Sequence, residues 1–102
     1  MRQMGLDLVD HTIQIQFEAF DRAHPEVYKA LVRLTFDLKE RGFKRYGLKS
    51  IFERVRWHFQ VERELGEEFK LNNNYTSRYA RKLMAEYPEL RGFFEVRELK
   101  AA

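Results

Sequence analysis

Between Lys70 and Met84 the chain reads KLNNNYTSRYARKLM, with four cations and no acid in 15 residues. On a helix, Arg78, Arg81 and Lys82 fall within about a third of the circumference. An arginine fork grips two phosphate oxygens, or the edge of a guanine, at once, and a lysine adds a point charge. Asn74 and Tyr75 stand just ahead, where side-chain donors and a helix N-terminus reach phosphate together. The pattern predicts a nucleic-acid-contacting helix. The plain alternative is a solvated helix face paired with Glu86 or Glu89.

A second basic group, Lys44, Arg45 and Lys49, precedes another helical segment. If the two groups flank one groove, the first reads a duplex while the second holds its backbone. Arg54, Arg56 and Arg63 add charge on that segment, and the Arg56 stem is expected to cover the aromatic core. Trp57, Val61 and Leu65 lie nearly opposite its main apolar stripe. Trp57 is expected as a core or inter-helix anchor. If exposed, the three would mark a surface for a protein partner or a second copy of the chain.

Other chemistries find little support. His11, His24 and His58 have no i, i+4 pairing and the chain has no cysteine, so no metal site, disulfide or thiolate chemistry is expected. The acids Glu67 and Glu68 lack a recognisable partner, and no phosphate-cradling glycine loop or nucleophile elbow occurs. Neither an enzyme nor a cofactor is expected.

Four helices would position these residues. Ile13, Phe17 and Phe20 predict a first helix from about Asp10 to Ala23, with residues 1–9 a flexible lead-in. Pro25 and Gly42 bracket a second, with Val27, Leu31, Leu34 and Leu38 as its stripe, widened by Tyr28, Val32 and Phe36. Ser50 and Glu53 have capping-box spacing, opening a third helix lined by Leu48, Ile51, Phe52, Val55 and Phe59. Glu68 to Leu71 predicts a short strand. Asn73 or Asn74 then caps a fourth helix running to Tyr87, with Tyr79, Ala80, Leu83, Met84 and Tyr87 inward. Phe93 to Leu99 alternates as a second strand. The expected fold is mostly α (α+β): four helices and a two-stranded sheet, like a winged helix-turn-helix. The connection from Gly66 to Asn73 is long for that motif, so a helical bundle with a two-stranded cover competes.

At 102 residues the chain is expected to form one domain, and 44% hydrophobic and 15% aromatic residues suffice for a core. The net charge of +3 is uneven: residues 1–24 sum to −2, from two cations and four acids, and residues 39–63 to +5, from eight cations and three acids. One face should repel anions and another attract them. With no signal-peptide pattern and no apolar run near the ~20 residues of a membrane span, a cytoplasmic address without membrane contact is expected.

Several segments resemble a set of small uncharacterised proteins of bacteria and their phages: QFEAF at Gln16–Phe20, HPEVY at His24–Tyr28, ERVRW at Glu53–Trp57, FKLNNNYTSRYARKLM at Phe69–Met84 and PELRGFFEVRE at Pro88–Glu98. The NNNY and RYAR elements look like its signature. The resemblance implies a small stand-alone domain in a phage or mobile-element setting and lends no catalytic residues. The expected function is a small DNA-binding regulator acting on double-stranded DNA. RNA is the alternative nucleic acid, because Tyr75 and Tyr79 could stack on exposed bases. The competing function is a protein-interaction module that modulates a host enzyme, or a homodimeric interaction domain.

Overall fold

The computed structural model describes residues 2–94, with side chains for residues 9–94. Four α-helices are present among them: α1 (Arg2–Ala23), α2 (Pro25–Glu40), α3 (Leu48–Trp57) and α4 (Thr76–Glu86). The α1 helix starts at Arg2 rather than near Asp10. Phe17 is buried in its centre, and Ile13 and Phe20 pack partly buried on either side.

Pro25 opens α2, its missing N–H falling where helical donors have no partner. Val27, Ala30, Leu31 and Thr35 are buried along the helix. Its end is a Schellman motif: Phe43 N–H donates to Leu38 O and Gly42 N–H to Lys39 O, each at 3.1 Å. Gly42 takes a φ of +100°, which a side chain would strain.

Gly47, not Ser50, is the N-cap of α3, so the expected capping box does not form. Leu48 is already buried as the first helical residue, which leaves Ser50 inside the first turn. Leu48, Ile51, Phe52, Val55 and Phe59 form the expected core stripe. Beyond Trp57 the helix widens into a π-turn, His58–Glu62, closed by Arg63 N–H to His58 O at 2.8 Å. Phe59 stays in the core across this widening.

The winged helix-turn-helix expectation is wrong: the described residues contain helices and no sheet. Gly66–Glu68 is a 3₁₀ turn, Phe69 follows in extended conformation, and Phe69 and Leu71 are both buried without a partner strand. Their carbonyls are satisfied by side chains instead. Gln60 Nε2 donates to Phe69 O at 2.8 Å, and Arg56 donates to Leu71 O. Alternation of apolar residues registered an extended segment lying on the core, and side chains took the place of a ladder. The second expected strand begins as a turn at Arg91–Phe93, with Phe93 and Phe94 both buried. Its one trace is an isolated parallel bridge between Phe94 and Tyr46, and residues 95–99 lie outside the described residues.

Asn72 is the asparagine that caps, its side chain accepting Asn74 N–H at 2.8 Å before the 3₁₀ turn Asn73–Tyr75 leads into α4. Tyr79 and Leu83 are fully buried on α4, with Ala80, Met84 and Tyr87 packed at the margin. Tyr79 is central: its ring meets Phe17 edge-on at 4.8 Å and lies 5.9 Å from Phe52, so α1, α3 and α4 converge there.

Candidate nucleic-acid interface

Two of the three cations on the α4 stripe, Arg78 and Lys82, are drawn into ion pairs with α1, and Arg81 stays exposed. Arg78 is 8% exposed, contrary to the outward orientation expected of it. Its guanidinium pairs with Asp10, and its Nε donates to Gln14 Oε1 at 3.0 Å. A weaker bond at 3.4 Å reaches Asn74 O. Lys82 pairs with Asp21, and its ammonium sits 4.1 Å from the centre of the Tyr28 ring.

Helical phase explains both. Arg78 and Lys82 lie about 100° and 60° around the helix from Tyr79, so they flank the core stripe. On α1, Asp10, Gln14, Phe17 and Asp21 share one face and bring carboxylates to meet them. Arg81 is about 60° farther out than Arg78 and is exposed. The three cations do line one groove with α1, of about 380 Å³, but Glu18 and Asp21 line it too.

Tyr75 is likewise buried, its ring 5.3 Å from Phe20 and 5.7 Å from Phe17, and so offers no platform to a base. Tyr79 is equally enclosed. Burial first, then the Asp21 charge, raises the Tyr79 phenol far above its ordinary value. Burial and a 2.8 Å hydrogen bond to Glu86 do the same for Tyr28. Both hydroxyls stay neutral, so neither serves as a base. Among the expected α4 contacts, Asn74 and Arg81 remain exposed.

The second basic group has the opposite surroundings. Lys39, Arg41, Lys44, Arg45 and Lys49 are all exposed, and Glu40 is the one acid between them. Among the described residues, Arg41 pairs with Asp37 at 3.0 Å and the other four make no ion pair. Lys49 sits in the first turn of α3, which carries no acid. A cation there opposes the helix dipole, so it does not serve helix stability, while an anion at that end would be stabilised.

Beside Lys39 and Lys44 lies a cleft of about 420 Å³, which Arg91 and Glu89 reach from the C-terminal side. Phe43 stands at its wall, 46% exposed. The sequence reading missed Lys39, Phe43 and Arg91. The signal for Phe43 was available: an aromatic just beyond a helix-ending glycine, inside a cationic run.

The apolar residues of the π-turn region form a third surface. Trp57, Val61 and Leu65 are 54%, 48% and 46% exposed. Trp57 is therefore not a core anchor: Val55 and Phe59 fill the core positions on either side of it. Arg56 does take the structural role expected, pairing with Glu53, donating to Asn73 Oδ1 at 2.7 Å and lying over the Phe52 ring.

No family model, curated protein or solved structure matches the chain. No cluster of three or more metal-ligating side chains occurs among the described residues. No described helix is long and apolar enough to cross a membrane. The chemistry offered by the open basic segment is anion binding, with an aromatic ring beside it.

Proposed function

We propose that this protein binds nucleic acid by its phosphodiester backbone, through the segment from Lys39, at the end of α2, to Lys49, in the first turn of α3. One observation carries this reading: five exposed cations lie within 11 residues, and one of them has an ion-pair partner among the described residues. Compensating acids are the usual fate of such a surface, as α4 demonstrates. Lys44, Arg45 and Lys49 keep their expected role as backbone contacts, joined by Lys39. Asn74 and Arg81 are peripheral to it, and Arg78, Lys82 and Tyr75 hold α4 in place.

Without a base-reading helix, binding is by charge and tolerant of sequence. A cytoplasmic address and a phage or mobile-element setting accord with this role, the latter resting on the resemblance of the NNNY and RYAR segments. Affinity for a labelled oligonucleotide, measured against salt, tests the proposal. Release of counterions requires log K to fall linearly with log salt, by about 0.7–0.9 per phosphate neutralised. No binding at low salt would sink it.

A second reading is favoured by a separate observation, the exposure of Trp57, Val61 and Leu65. Such a surface suits a protein partner or a second copy of the chain. Trp57 is the single tryptophan, so acrylamide quenching reports on it directly. Efficient quenching at micromolar protein concentration would show that no second copy covers it and would rule out the homodimer version of this reading.

A further inference from the structure

The cleft beside Phe43 carries more information than charge alone. Gly42 and Gly92 both take positive φ, +100° and +86°, and shape the two turns bordering it. One turn ends α2 and presents Phe43. The other follows the 3₁₀ turn Pro88–Leu90 and presents Arg91. The two are tied together by the hydrogen bond from Tyr46 N–H to Phe93 O at 2.9 Å.

Phe43 is fixed at its backbone by the bond to Leu38 O. Its side chain is propped by Tyr46, with ring centres 5.5 Å apart and planes at 79°. The ring is left half-exposed on a fixed backbone, beside Lys39, Lys44 and Arg91. Glu89 offsets one of the three positive charges and the cleft stays cationic.

We propose that this cleft is a binding site for single-stranded nucleic acid, with one base stacked on Phe43 and the adjoining phosphate held by Lys39, Lys44 and Arg91. The proposal rests on the backbone-binding reading above and names the form of strand it selects. In a duplex the bases are paired and stacked, and an aromatic ring cannot reach a base face without unstacking it. A single strand offers base faces freely, and stacking tolerates any base because each has a π-face. Joined to cations that follow the backbone, one ring therefore selects for strandedness without selecting for sequence.

The test compares anisotropy titrations of a labelled mixed-sequence strand of about 12 nucleotides, within the usual span of such sites, with its duplex. The wild-type protein is used beside Phe43→Leu, Phe43→Trp and Arg91→Ala. Expected are tighter binding of the single strand than of the duplex, a loss of roughly 5- to 100-fold on Phe43→Leu for the single strand alone, and retention of affinity by Phe43→Trp. Arg91→Ala should weaken the single strand and flatten its salt dependence. Equal affinity for both forms, unchanged by Phe43→Leu, would overturn this inference and leave the backbone reading standing. Absence of binding to either form at low salt would overturn both. Because Phe43 is exposed, these variants should keep the wild-type circular dichroism, and the wild-type strand preference is decisive without them.

Discussion

Arg78 and Lys82 on α4, and Lys44 and Arg45 between α2 and α3, are the same residue types in two different surroundings. The first pair meets Asp10 and Asp21 of α1 and is drawn into the packing of that helix. The second pair makes no ion pair among the described residues and stays exposed. Local sequence points to the enclosed pair as the open one, since the α4 stretch is free of acids over 15 residues and the other segment contains Glu40. What a cation does is set by the charges that the fold brings to it. Two of the four acids in residues 1–24, Asp10 and Asp21, meet α4.

The two α4 pairs also differ from each other, and that difference orders the expected effects. Asp21 is 15% exposed, and its Oδ1 has no hydrogen-bond partner. Replacing Lys82 with Met strands that carboxylate, which should lower stability by about 2–3 kcal/mol in urea unfolding. Adding Asp21→Asn should recover part of the loss, with a coupling of roughly 1–2 kcal/mol. Strict additivity would mean that the pair does not act as a unit.

Asp10 is 75% exposed and can turn back to water when its partner goes. Arg78→Met should therefore cost less, about 1–2 kcal/mol, mostly from lost hydrogen bonds to Gln14 and Asn74. A loss larger than that of Lys82→Met would reverse the assignment of which pair is the more tightly enclosed.

Glu62, on the π-turn, supplies a contrasting case of a pair at the surface, with His58 and Glu62 34% and 44% exposed. A hydrogen bond from His58 at 2.8 Å, helped by Arg54, holds its carboxyl below the ordinary 4.5. A lowered pKa in the folded state means stabilisation present above the unfolded value and lost as pH falls through the folded one. Because the pair lies at the surface, where water and salt screen it, the contribution is small. Glu62→Gln should leave the melting temperature at neutral pH nearly unchanged, and an NMR titration of Glu62 should show a midpoint below 4.5.

Much of the fold was legible because burial repeats with the helical period. Val27 and Leu31 of α2, and Leu48, Phe52, Val55 and Phe59 of α3, are buried where spacing put them. Gly42 ended α2 as its position implied. The strands were not legible, since alternation at Phe69 and Leu71 records which side faces the core and says nothing of what satisfies the carbonyls. Gln60 and Arg56 do that from other elements. The role of Arg78 was hidden for a related reason: its partner Asp10 lies 68 residues away, and one step of helical phase separates a core-flanking position from an open one. Lys44 and Arg45 were legible as candidates because a loop has few ways to bury a charge.

The division of labour between the two basic regions can be read from one set of salt titrations. Affinity for a single-stranded oligonucleotide is measured for the wild type, for Lys44→Ala with Arg45→Ala, and for Arg78→Met held well below its melting temperature. Loss of two phosphate contacts on a single strand should reduce the slope of log K against log salt by about 1.4 in the loop variant, with unfolding unchanged. Arg78→Met should keep the wild-type slope while unfolding more easily. A wild-type slope in the loop variant, together with a shallower one in Arg78→Met, would contradict the account.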